Sequence, residues 1–317
     1  MKTSLSVFQN HLIDYAGLFP PSNLSLDVAI KNYVDYINSE DSWMLGPFII
    51  PITKINELPT YADLFSKEKP LKLSVVGRRS ESENECMAQL KEDLEQIHNF
   101  RNQYHHWSSV EVLEMPLPPV VPTQDLLGEV SEGAKKLGVK AFCEVPLPNH
   151  DDWKKHVCHT LNEMEAFNLV HESPLGIKLR TGGIKAEMFP STEQVAFVIA
   201  SCRDRHLPIK FTAGLHHPIR MYREEVQTKM HGFLNIFLAG MLAYHLKLDE
   251  KMIEEILSEE KANHFILADH RLGWKNLSIT TQEIKELRSL LCSFGSCSFD
   301  EPKDELRELK NQQGVIL

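Results

Sequence analysis

The chain has 317 residues, of which 42% are hydrophobic and 25% charged, with a formal net charge of −10 and a pI near 5.8. This is the composition of a globular protein large enough for a sizeable core, and its acidic balance argues against a nucleic-acid partner, which needs a basic face. No apolar run approaches the ~20 residues that cross a bilayer, so no membrane partner is expected.

Residues 1–11 lack the apolar centre and cleavage site of a secretory signal. Six cysteines (Cys86, Cys143, Cys158, Cys202, Cys292, Cys297) are scattered without a C-x-x-C pair. That pattern reads as free thiols in a reducing, cytoplasmic setting.

In chain order, residues 12–17 form a short first strand ended by Phe19-Pro20-Pro21, and 24–37 have helical spacing. Residues 47–52 are a second strand, with Pro51 near its end, and a weak helix follows at 58–65. The third strand is 71–77, with Arg78 and Arg79 just after it. Residues 82–104 read as a long amphipathic helix capped by Ser82. The fourth strand (110–118) and the fifth (139–148) end alike, in Glu114-Met115-Pro116-Leu117-Pro118 and Glu144-Val145-Pro146-Leu147-Pro148. Helices follow them at 125–137 and 151–169.

The sixth and seventh strands share one design. Leu175-Gly176-Ile177-Lys178-Leu179-Arg180-Thr181-Gly182-Gly183 and Leu207-Pro208-Ile209-Lys210-Phe211-Thr212-Ala213-Gly214 are apolar runs broken by lysine and closed by glycine. Strand alternation puts Lys178 and Arg180 on one face and Ile177 and Leu179 on the other; Lys210 and Thr212 likewise oppose Ile209 and Phe211. Between the two strands, Ser191 caps an apolar helix with Glu193 in its first turn. Residues 233–246 are strongly apolar, a core helix in preference to a subunit contact. A helix at 249–260 is capped by Asp249. Residues 264–269 are the eighth strand, ending at Asp269. A helix at 281–292 and a peripheral tail at 293–317, whose charged part from 300 onward reads as a peripheral C-terminal helix, complete the chain.

Eight strands alternating with helices predict a single-domain (β/α)8 TIM barrel over residues 1–317. The competing open doubly wound sheet would want a G-x-G-x-x-G turn after an early strand, and none is present. Barrel enzymes keep their chemistry at the C-terminal ends of the strands. The polar residues expected there are Asp14, Arg78, Arg79, Glu114, Glu144, Lys178, Arg180, Thr181, Lys210, Thr212, His216, His217 and Asp269.

Parallel strands are usually apolar on both faces, so an interior lysine needs a reason. One reason is structural, an ion pair between Lys178 and Glu144. The other is catalytic: a desolvated amine, its pKa lowered by Arg180 and Lys210, that attacks a carbonyl and forms a Schiff base. The lysine strands resemble those of class I aldolases of the deoxyribose-phosphate aldolase type. That family has a K-T-S-T-G segment on strand six and K-P-A-G-G on strand seven. Lys178-Leu179-Arg180-Thr181-Gly182 keeps the lysine, threonine and glycine of the first, and Lys210-Phe211-Thr212-Ala213-Gly214 the lysine and last glycine of the second. The two lysines stand 32 positions apart, from 178 to 210. The resemblance implies that Lys178 is the Schiff-base lysine and Lys210 its partner. The family's strand-four aspartate has no clear match, Glu114 being a longer side chain. Asp269-His270-Arg271-Leu272-Gly273-Trp274 is not a phosphate cradle. As a whole, through Asp14-Tyr15-Ala16-Gly17-Leu18-Phe19-Pro20-Pro21 and Thr212-Ala213-Gly214-Leu215-His216-His217-Pro218, the chain resembles an uncharacterised bacterial (β/α)8-barrel family that implies no activity.

No organic cofactor is expected, while a divalent ion on Asp14, Glu114, Glu144 and Asp269 stays open. Adjacent residues of a strand point apart, so His216-His217 could ligate together only from a loop. The expectation is a barrel acting on a small anionic carbonyl compound in an aldolase- or lyase-like reaction. Lys178, Lys210, Glu144 and His216 would carry the chemistry. Arg180, Thr181, Thr212, His217, Arg78, Glu114, Asp14 and Asp269 would bind substrate, with Arg180 gripping its acidic group. The alternatives are a metal-assisted hydrolase or isomerase and a non-catalytic binding barrel.

Overall fold

The chain is described by a computed structural model covering residues 3–147 and 152–314. Pro148, the expected end of the fifth strand, and Asp151, the expected start of the next helix, lie outside the described residues, as do 315–317 of the tail. The strands, in order, are β1 (Ile13–Tyr15), β2 (Leu45–Pro51), β3 (Leu71–Val76), β4 (Ser108–Pro116), β5 (Lys140–Glu144), β6 (Gly176–Arg180), β7 (Ile209–Thr212), β8 (Met221–Arg223), β9 (Thr228–Met230), β10 (Phe265–Ala268), β11 (Arg271–Trp274), β12 (Leu277–Thr280) and β13 (Leu291–Ser296). β1 to β7 and β13 close into an all-parallel barrel in which β13 sits between β7 and β1. This is the (β/α)8 architecture the sequence predicts.

The helices are α1 (Ser4–Gln9), α2 (Leu26–Asn38), α3 (Glu83–Tyr104), α4 (Gln124–Leu137), α5 (Trp153–Val170), α6 (Thr192–Asp204), α7 (Phe233–Leu246), α8 (Glu250–Leu257), α9 (Thr281–Leu287) and α10 (Asp300–Gly314). Their starts follow from local chemistry. Ser82, Thr123 and Asp249 each accept a hydrogen bond from a backbone N–H of the first turn. Ser191 and Gln194 complete a reciprocal capping box at α6. The weak helix expected at 58–65 is part of a longer 3-10 stretch, Ile52–Leu64. In α7 every residue from Phe233 to Ala243 is buried. A helix apolar all round must be covered all round, and α6, α8, α9, β11, β12 and β13 cover it.

The eighth strand differs from expectation. Residues 264–269 do not join the barrel. As β10 they pair antiparallel with β11, which pairs with β12, in a separate sheet against α1 and α7. The barrel is closed by β13, within the region read as a helix end and a tail. The reason is physical: β10 and β11 are joined by a tight turn, so their backbone groups are satisfied locally. Leu291-Cys292-Ser293-Phe294-Gly295-Ser296 has no β-branched residue to mark it as a strand. The tail therefore begins after residue 296, and its helix α10 is held to the barrel by Arg307 and Lys303, 2.8 and 3.2 Å from Asp41.

Candidate functional site

Alternation on the strands decides what enters the barrel. Ile177, Leu179, Ile209 and Phe211 face the helices in the apolar core, and Lys178 and Lys210, partners in register on β6 and β7, face inward. Their charges meet carboxylates from β1, β4 and β5. Lys210 Nζ lies 2.9 Å from Asp14 Oδ2 and 2.5 Å from Glu114 Oε1. Lys178 Nζ lies 2.7 Å from Glu114 Oε2 and 2.7 Å from Glu144 Oε2. Glu144 Oε1 continues the series to Arg79 Nη2 at 2.6 Å and Arg180 Nε at 3.4 Å. The Ser293 hydroxyl donates to Asp14 at 2.7 Å, and that of Ser74 to Glu114 at 2.6 Å. The result is a ladder of alternating sign, Asp14–Lys210–Glu114–Lys178–Glu144, whose five members are all buried. Burying one ion costs several kcal/mol, which only close, hydrogen-bonded opposite charge offsets.

Electrostatics follow this order. Burial pushes the Glu114 carboxyl up, but Lys178 and Lys210 outweigh it and hold it well below the usual carboxylate range. Burial acts likewise on Glu144, and Lys178, then Arg180 and Arg79, bring it down to about 2. For Lys210, burial favours the neutral amine, yet Asp14 and Glu114 hold it above its ordinary value. The cations expected to surround Lys178 are thus not its nearest charges. Arg180 and Lys210 each face a carboxylate that Lys178 also touches.

Two cavities approach the ladder from opposite ends. At the C-terminal ends of the strands, a chamber of about 490 Å³ is lined by Lys178, Glu144, Arg79, Arg180, Thr212 and His216, with Phe19, Ile49 and Val76 as apolar wall. Its size and mixed lining suit a small polar ligand. A larger cavity of about 800 Å³ at the opposite ends reaches Asp14 and Lys210. It is the weaker candidate. It opens at the N-terminal ends of the strands, away from the end where barrels of this kind keep their chemistry, and Arg288 in its wall spends its donors on the carbonyls of Leu291, Cys292, Asn10 and His11.

Several expected site residues lie elsewhere. Arg78 turns outward to α3, where it binds Asp93 and Glu92 at 2.8 Å each, and its neighbour Arg79 reaches the chamber instead. Asp269 follows β10, is exposed, and sits 3.6 Å from Lys310. The Thr181 hydroxyl donates to the Ala213 carbonyl at 2.6 Å and its N–H to that of Thr212 at 2.8 Å, tying the loops after β6 and β7 together. Glu114 lies beneath Lys178, and Asp14 faces the lower cavity. His216 and His217, past the end of β7, both turn to α10. His216 Nδ1 is 3.0 Å from Glu301 Oε2 and 3.9 Å from Cys297 Sγ, and His217 Nδ1 is 2.8 Å from both oxygens of Glu305. Burial opposes protonation of His216, but Cys297 and Glu301 push its pKa up to about 9.

Sequence reasoning placed Arg79 at the strand ends without giving it a role, and missed Ser74, Ser293, Cys297, Glu301 and Glu305 as site residues. Arg79 was adjacent to the residue given a role, Arg78, but alternation stops being a guide once the strand ends. Ser293 and Cys297 were hidden with β13 or just past it. The i, i+4 spacing of Glu301 and Glu305 puts both on one helix face, a signal that was there to be read.

The molecule is a (β/α)8 barrel with an interior lysine–carboxylate ladder open at the C-terminal ends of the strands. No protein-family model matches the chain, and no curated protein matches it in sequence. In structure it is distantly similar to deoxyribose-phosphate aldolases. The enzyme from Aeropyrum pernix is 12% identical with a TM-score of 0.46, over 67% of this chain and 80% of that one. A putative deoxyribose-phosphate aldolase from Toxoplasma gondii ME49 is 9% identical with a TM-score of 0.38, over 97% and 94%. Likeness at this level carries nothing about the reaction, and the barrel stands on the strand pairing of this chain itself.

Proposed function

We propose that this protein is a lyase of aldolase-like type that acts on a small anionic carbonyl compound through a Schiff base on Lys178. The observation that carries the reading is the division of the two lysines. Lys178 lines the chamber at the C-terminal ends of the strands, while Lys210 lies beneath it. In this reading Lys178 first passes a proton to Glu144. That transfer removes the largest attraction holding the Glu144 carboxyl down and leaves a neutral amine. The amine adds to the substrate carbonyl, and the carbinolamine loses water to give the iminium. Glu144 gives that proton to the departing hydroxyl and, again a carboxylate, takes the proton of the substrate's β-hydroxyl. The Cα–Cβ bond then breaks, its electron pair passes into the iminium to give an enamine, and the other fragment leaves as an aldehyde. Lys210, pinned by Asp14 and Glu114, keeps Glu114 ionised and placed under the amine. Arg79 and Arg180 hold the acidic group of the substrate. His216, protonated at neutral pH, supplies a proton from the α10 side.

Metal-assisted hydrolysis or isomerisation on the strand-end carboxylates is disfavoured, because Asp14, Glu114 and Glu144 each have a lysine amine within 2.9 Å. A purely structural ladder would not need an open chamber over Lys178. Borohydride reduction in the presence of 2-ketoacids and small aldehydes tests the proposal. The expected result is a stable adduct on the peptide carrying Lys178, absent in Lys178→Ala. No adduct with any of these compounds, or one that survives that substitution, overturns it.

A further inference from the structure

The loop after β7 and the first turns of α10 bring together a group that the ladder does not use. His217 is 3% exposed, and its Nδ1 stands 2.8 Å from each oxygen of Glu305. One ring proton can serve only one of those oxygens at a time. Donor atoms of His217, Glu301 and Glu305 all lie within 4.8 Å of one another. Ligands about 2.1 Å from a tetrahedral zinc stand about 3.4 Å apart, so the cluster would draw in from its widest separation to form a coordination shell. His216 and Cys297 stand next to it, and a cavity of about 230 Å³ lined by His216, His217, Glu225, Cys297 and Glu301 gives access. Imidazole and carboxylate, with a thiol in reach, suit zinc, manganese or iron better than magnesium or calcium.

We propose that His217, Glu301 and Glu305 form a binding site for a divalent transition-metal ion, with Cys297 as a fourth donor. The ion would clamp α10 to the loop after β7, the wall of the chamber that carries His216. The site is separate from the ladder and does not depend on the Schiff-base reading.

The test is metal binding by the full chain, tag-free, stripped with chelator and titrated with zinc, then manganese and iron(II). The expected outcome is about one ion per chain with a rise in melting temperature. Glu305→Gln, which keeps the side-chain shape, is expected to weaken binding at least ~tenfold, and His217→Ala to remove it. His264→Ala, at a histidine paired with Glu259 elsewhere, is expected to bind as the unaltered chain does. No binding of any of the three ions, or equal zinc affinity in Glu305→Gln and the unaltered chain, overturns the proposal and leaves two histidine–glutamate pairs that merely fasten α10.

Discussion

Glu114 is the hinge of the charge ladder, because among the described residues it alone touches both interior lysines. Glu114→Gln leaves two ammonium groups around a neutral amide in a fully buried place. Removing one partner from a buried ion pair costs about 3–5 kcal/mol, and a loss in that range is expected in urea unfolding. A loss under about 1 kcal/mol would mean the ladder is better solvated than its burial implies. Glu144 makes a prediction in pH. Its carboxyl protonates at about 2 in the folded chain and near 4.3 when unfolded. A depressed carboxyl contributes stability that is whole above the unfolded value and is lost as pH falls through the folded one. Asp14, pushed up by burial, acts in the opposite sense, so the measurement is a difference. Stability of the unaltered chain minus that of Glu144→Gln is expected to shrink as pH falls from about 4.3 toward the folded value.

At the scale of elements, the loops after β6 and β7 touch backbone to backbone. Gly214 has a φ of +73°, and a Cβ there would stand 2.8 Å from the Gly182 Cα and 3.1 Å from the Thr181 carbonyl. Ala213 before it is also left-handed, with a φ of 62°. Gly214→Ala is expected to cost at least ~1–3 kcal/mol and to disturb the chamber wall, since Ala213 and Thr212 line it. Calorimetry gives the first effect, and the rate of borohydride-trapped adduct gives the second. The paired closing glycines on the two lysine strands thus have distinct uses. Gly182 makes room for Gly214, and Gly214 supplies the turn.

For the whole molecule, closure depends on a strand near the end of the chain. β13 pairs with both β1 and β7, and its Phe294 stacks on Phe233 of α7 with ring centroids 5.1 Å apart. A chain cut after Leu290 keeps seven barrel strands but exposes two unpaired edges. It is expected to lack a cooperative thermal transition, as followed by circular dichroism. A cut before α10 keeps the barrel's strands and removes Glu301 and Glu305, so it is expected to fold with lower stability.

What the sequence determined by itself was local. Hydrophobic period, capping residues and proline stops placed most of the helices and the first seven strands, though not α1, and strand alternation turned Lys178 and Lys210 inward, because each of these is decided within a few neighbouring residues. Tertiary structure decided which segment closes the barrel, since β10 and β13 differ in their pairing partners more than in their composition. It also decided that Lys178, expected beside Glu144, meets Glu114 as well, that Arg79 and not Arg78 reaches the chamber, and that a charged tail carries two glutamates to His216 and His217. These are contacts between residues tens to hundreds of positions apart. Their energy comes from pairing charges away from water, and no local pattern records which charge will be the partner.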